Sequence, residues 1–244
     1  MSEAAVRAMP RRGRLWVIAL LSLGLIALAY SIVEISTKKA DDGIVHIAGI
    51  SDAQEAFGGI PQAGQRLGSS DAPVTAEVFN DLQCSDCRDA FLATIPTLAE
   101  KYARSGEVKF IYRHYSNSEF PQQLGFYGAE AAAAQGYGWQ YTYLFFRNQE
   151  EAKNFTSERA FEDFQQSIAG SIGELDLPEW EEDLKQEGAP GGPIDQRLET
   201  NEELGRNLGI RIGGGMVITG PGGTTTLQEG PSLAEIEAAI AEVE

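Results

Sequence analysis

The sequence predicts an α/β domain with a parallel strand pair, a large all-helical insertion and a closing β-hairpin, carried behind one N-terminal transmembrane helix. Three observations lead there: a long uncharged stretch behind a cluster of arginines, a strand, helix, strand pattern over residues 74–112, and a return to strand character near residue 216. The chain has 244 residues, 43% hydrophobic and 23% charged, which supports a sizeable core and excludes a disordered or collagen-like chain. Its net charge of −17 repels phosphate and argues against nucleic acid as a partner.

Residues 1–14 hold Arg7, Arg11, Arg12 and Arg14 and read as a basic cytoplasmic N-terminus. Residues 15–33, LWVIALLSLGLIALAYSIV, carry no charge and as a helix reach about 28 Å, close to the thickness of a bilayer's hydrocarbon core. With the arginines held inside, everything after Glu34 faces outward, anchored in the cell membrane as a single-pass protein. The A-x-A-like Ala27-Leu28-Ala29 offers cleavage and secretion as the alternative. Beyond residue 40 there are 13 basic and 34 acidic side chains, so the exported part is strongly acidic.

Residues 34–70 lack sustained periodicity and are punctuated by Gly58-Gly59, Pro61, Gly64 and Gly68; they read as an extracytoplasmic spacer before a domain at 71–244. Val74 to Phe79 is a β-branched and aromatic run suited to a buried strand. A helix follows Cys84, with Phe91, Ile95, Leu98 and Tyr102 forming one apolar stripe and Pro96 expected to kink it. Ser105-Gly106 ends that helix and Val108 to Tyr112 makes a second strand, parallel to the first because a helix crosses between them. The insertion spans about 121–209, with caps expected at Thr156 or Ser157 and at Asp176. Met216 to Thr219 and Thr224 to Leu227 form a hairpin around Gly220-Pro221-Gly222-Gly223, and Ser232 with Glu235 makes a capping box for the last helix.

The chemistry centres on Cys84-Ser85-Asp86-Cys87. A strand hands over to a helix there, so Cys84 meets unpaired N–H groups and the positive end of the helix dipole, which favour a thiolate. Cys87 lies one turn on, within reach to resolve a mixed disulfide. As a structural staple the pair is poor, because closing a four-residue loop removes only about 1.9 kcal/mol of unfolded-state entropy. As a metal site it lacks partners: the chain has only His46, in the spacer, and His114, at a strand end.

With these residues in place the sequence resembles the DsbA-like branch of the thioredoxin-fold family, the exported thiol–disulfide oxidoreductases. The resemblance runs from about residue 58 to the C-terminus on Gly59-Ile60-Pro61-Gln62, Asp71-Ala72-Pro73-Val74-Thr75, Phe79 through Cys87, Val108 through Arg113, Gln135-Gly136 through Trp139, and Phe146-Arg147-Asn148-Gln149. It implies that Cys84 attacks and Cys87 resolves, without cofactor or metal, on exported protein substrates. It also implies recharging by a quinone-linked membrane partner of the DsbB or vitamin K epoxide reductase-like type.

Three positions depart from the family pattern. Ser85 and Asp86 stand where Pro or His is common, and a carboxylate beside Cys84 opposes its thiolate, predicting a weaker oxidant, partly offset by Arg88. The substrate-docking loop reads Gly213-Gly214-Gly215, without the family's cis-proline, so Gly214 and Gly215 are expected to dock substrate with a trans bond at Gly215. Val78 occupies the place of a buried acid, leaving the Cys87 proton to water, with Glu77 on the opposite face. The alternative function is a non-catalytic thioredoxin-fold module that holds a client protein or metal through the same cysteines.

Overall fold

The computed structural model describes residues 46–116, 125–152, 155, 157–188, 191–211 and 213–244. The span expected at 15–33 lies outside them; among the described residues no helix is long and apolar enough to cross a membrane.

Val74, Ala76 and Val78 alternate toward one buried face, and Val74–Asn80 forms the central strand β3. Beside it runs β4, Val108–His114, in parallel register from Val74 opposite Val108 to Asn80 opposite His114. Between them the chain crosses over through helix α2, Ser85–Leu98, which buries Phe91, Ile95 and Leu98. Strand β5, Gly215–Gly220, pairs antiparallel on the other side of β3, and β6, Gly223–Leu227, completes the hairpin. The expected capping box joins Ser232 and Glu235 at the start of the last helix, Leu233–Val243.

Pro96 sits inside α2 without ending it. The departure from α geometry comes just after, as a π-helical turn over Ala99–Ala103 closed by the Arg104 N–H on the Ala99 carbonyl at 3.0 Å. The turn keeps Tyr102 buried, and Gly106 at φ +81° lets the chain reverse into β4.

Residues 46–70, expected to belong to the spacer, are part of the folded domain, while the rest of that expected spacer, 34–45, lies outside the described residues. Ile50–Phe57 is helix α1, and Gln62–Ala63 (β1) and Arg66–Leu67 (β2) form a hairpin whose second strand pairs with β4, giving the sheet order β1-β2-β4-β3-β5-β6. Phe57 and Leu67 are fully buried, and the Phe57 ring lies 5.8 Å from that of Tyr143. Elements of two to eight residues separated by glycines are too short to show a period, and long-range packing holds them instead.

The insertion contains α3 (Phe126–Ala134), α4 (Gly138–Arg147), α5 (Gln149–Ala152), α6 (Glu158–Ser171), α7 (Leu177–Glu187) and α8 (Pro193–Asn207). Ser157 caps α6 through the Ala160 N–H, and Asp176 caps α7; Thr156 lies outside the described residues. The aromatic run of α4 packs inward: Trp139 stacks on Phe91 of α2, and its indole N–H donates to the Gln65 carbonyl at 3.1 Å. The insertion is thereby bound to both the sheet and the helix that carries the cysteines.

Candidate active site

Strand β3 ends at Asn80, and the next four residues bring the chain to Cys84, the N-cap of α2. Cys84 is in extended conformation (φ −79°, ψ 122°), and its Sγ accepts the Cys87 backbone N–H at 3.0 Å. The two cysteines form a disulfide with Cα atoms 5.2 Å apart. Cys84 is partly exposed while Cys87 is 1% exposed, so a solvent-borne thiolate reaches the first sulfur and not the second. When the disulfide opens, the N–H already aimed at Cys84 Sγ and the helix dipole stabilise negative charge there. Ser85 is half-buried in the first turn, and Asp86 is exposed two residues from Cys84, so water weakens its repulsion of a thiolate there without removing it.

Arg88, expected to offset Asp86 in part, is held by other carboxylates. Its guanidinium donates to Asp89 at 2.8 Å and pairs with Glu150 of α5, which spends its charge on carboxylates. Long-range pairing of this kind has no signature in local spacing.

Facing the disulfide is the glycine loop. A methyl group placed on Gly213 would stand 3.1 Å from Cys87 Sγ, and one on Gly214 3.7 Å away. Gly214, at φ +92°, donates its N–H to the Phe79 carbonyl at 2.6 Å and accepts from the Gly230 N–H at 2.8 Å. Both its backbone groups are therefore used internally. Gly215 starts β5 opposite Phe79, and a methyl group there would press on Ile210 and the Leu227 carbonyl. Of the loop glycines, Gly213 and Gly214 lie against Cys87 Sγ, while Gly215 begins β5. No described peptide bond is cis.

On the sheet, Val78 is buried, and Glu77 on the other face is paired with Arg113 at 2.6 Å. Asp81 is an acid that local sequence pattern does not single out. Its carboxylate accepts the Gln83 N–H at 2.8 Å and the Ser116 hydroxyl at 2.9 Å. Its Cβ would lie 3.4 Å from a methyl group on Gly213, so it borders the loop that faces Cys87. Burial raises its pKa above the usual carboxylate value against those two hydrogen bonds.

Behind the site lies a buried polar group. His114, at the end of β4, is fully enclosed; its Nε2 stands 3.5 Å from Glu130 of α3, and Glu130 is paired with Arg197 of α8 at 2.9 Å. Burial, with Arg197 adding to it, lowers the histidine pKa to about 3, so the imidazole is neutral at physiological pH. Among the described residues no group of three or more His, Cys, Asp or Glu side chains is placed to hold a metal ion.

A family model described as thioredoxin matches residues 62–187, which includes the cysteine pair and more than half of the chain. The chain belongs to the thioredoxin family. Within that family its fold is similar to the crystal structure of oxidised BdbD from Bacillus subtilis, at 19% identity and TM-score 0.58, covering 77% of this chain and 97% of that one. It is also similar to Wolbachia pipientis alpha-DsbA1 (15% identity, TM-score 0.57, 73% and 89% covered). A thioredoxin-like oxidoreductase from Silicibacter pomeroyi is a third such structure (19% identity, TM-score 0.54, 78% and 95% covered). No curated protein matches the sequence. The shared architecture is the DsbA-like arrangement of a thioredoxin sheet with a helical insertion, as the sequence predicts.

Proposed function

We propose that this thioredoxin-family chain is a thiol–disulfide oxidoreductase of extracytoplasmic proteins, with Cys84 as the exchanging sulfur and Cys87 as the resolving one. The observation that carries the reading is the unequal placement of the two sulfurs at the N-terminus of α2, one partly exposed under an N–H donor and one enclosed. In the oxidising direction a substrate thiolate attacks Cys84 Sγ, the Cys84–Cys87 bond breaks, and Cys87 leaves as a thiolate that takes up a proton. A second substrate thiolate then attacks the substrate sulfur of the mixed disulfide and releases Cys84 as its thiolate. One disulfide has formed in the substrate and the enzyme holds two reduced cysteines. In the reducing direction every step runs backward, beginning with the Cys84 thiolate on a substrate disulfide.

Substrate docks at the Gly213-Gly214 loop, which packs without side chains of its own against Cys87 Sγ. The exposed Asp86 and the spent charge of Arg88 make the pair a weaker oxidant than relatives with Pro or His in the motif. Residues 15–33 anchor the domain outside the cell membrane, where a quinone-linked DsbB or vitamin K epoxide reductase-like partner returns it to the disulfide form. Cys87→Ser tests the reading: incubated with a substrate protein carrying a disulfide, the reduced variant accumulates a mixed disulfide through Cys84, resolved on gels by added dithiothreitol. A module that only binds would retain its client without any covalent adduct, and that outcome overturns the proposal.

A further inference from the structure

The side chain of Gln149, the first residue of α5, crosses from the helical insertion to the redox motif. It is 2% exposed, and its Nε2 donates to the carbonyl of Leu82 at 2.7 Å and of Cys84 at 3.2 Å. Its Oε1 accepts from Arg88 Nη1 at 3.4 Å. The carboxamide can take only this orientation, because the flipped amide would set its oxygen against two carbonyl oxygens and its NH2 against a guanidinium. Glu150 and Asp89 hold Arg88 in turn, so the last turn before the nucleophile and the first turn after it are both tied to one buried side chain.

The geometry points to Gln149 as a positioning residue that tunes Cys84: by capping the Leu82 and Cys84 carbonyls it fixes the N-cap conformation and withdraws negative carbonyl dipoles from the sulfur. Without it, the Leu82 carbonyl loses this donor and the Cys84 carbonyl keeps only the Arg88 backbone N–H at 3.1 Å, and the local potential shifts against a thiolate. The link gives the insertion a direct hold on the chemistry, in addition to packing. The inference rests on the exchange reaction proposed above, and it concerns how readily Cys84 ionises.

The experiment compares the reduced full-length protein with Gln149→Met, which keeps length and volume and removes both donors, and with Gln149→Glu, which keeps shape and adds charge. Iodoacetamide modification of Cys84 is followed by peptide mass from pH 4 to 9. In Gln149→Met the midpoint of the alkylation profile moves to higher pH, with a rate roughly tenfold lower on its acidic side, as a one-unit rise in a thiol pKa demands. The profile of Gln149→Glu moves further the same way. Circular dichroism restricts the comparison to folded protein, and should Gln149→Glu fail to fold, Gln149→Met decides alone. A Gln149→Met profile that superimposes on the parent's, in a protein whose parent exchanges with glutathione, overturns the positioning role and leaves the oxidoreductase reading intact. A parent that does not exchange with glutathione at all refutes the reading beneath it.

Discussion

His114→Phe should make the fold less sensitive to acid. In the native protein the imidazole is enclosed between Tyr112, 4.6 Å away ring to ring, and Phe126, 5.7 Å away, with Glu130 and Arg197 as the charged groups facing it. Burial holds its pKa at about 3, against an ordinary 6.5 in the unfolded chain. A base with a depressed folded value binds fewer protons folded than unfolded, so stability is whole above about pH 6.5 and is lost as pH falls toward 3. With those two values the loss between pH 7.0 and pH 4.5 is about 2.5 kcal/mol. A phenyl ring fills the same space among aromatic neighbours and cannot titrate. Urea unfolding at both pH values and constant ionic strength should show the variant losing about 2.5 kcal/mol less than the parent over this interval. The exposed carboxylates titrate alike in the two proteins and cancel, as Glu130 does to first order. Parallel losses would refute this reasoning, since they would mean that His114 is as easily protonated folded as unfolded.

Two other substitutions probe the frame and the site. Phe57→Ala removes a fully buried ring of α1 from its contacts with Trp139 and Tyr143, and chemical denaturation should report a loss of about 3–5 kcal/mol; a change under 1 kcal/mol would mean that residues before 71 are an appendage after all. Gly213→Ala places a methyl group 3.1 Å from Cys87 Sγ and 3.3 Å from the Asp81 nitrogen, and should cost about 1–3 kcal/mol and slow exchange with glutathione. An unaltered exchange rate in stopped-flow measurements would show that the loop does not border the path to the sulfurs.

What could be read from the sequence was whatever short spacing encodes. The alternation in Val74 to Asn80, the apolar stripe of α2, the Ser232 and Glu235 capping box and the N-cap place of Cys84 are all set by neighbours within a few residues. What could not be read joins distant parts of the chain. Gln149 is 65 residues from the Cys84 carbonyl it caps, Arg88 is 62 from Glu150, and His114 finds its carboxylate on a helix of the insertion. Gln149 did lie within the stretch that carried the family resemblance, but nothing in local pattern says toward which element it turns. The α1 helix and the β1–β2 hairpin escaped for another reason, since two-residue strands become legible only once β4 supplies the partner.

The central claim is that the Cys84, Cys87 pair exchanges disulfides, and a redox titration of the full chain in glutathione buffers, read by alkylation and mass, tests it most directly. We expect reversible two-electron exchange with a midpoint more negative than the roughly −120 mV of a strong oxidant, because Asp86 is beside Cys84 and the charge of Arg88 is committed elsewhere. A folded protein whose disulfide does not equilibrate with glutathione within hours would contradict the claim.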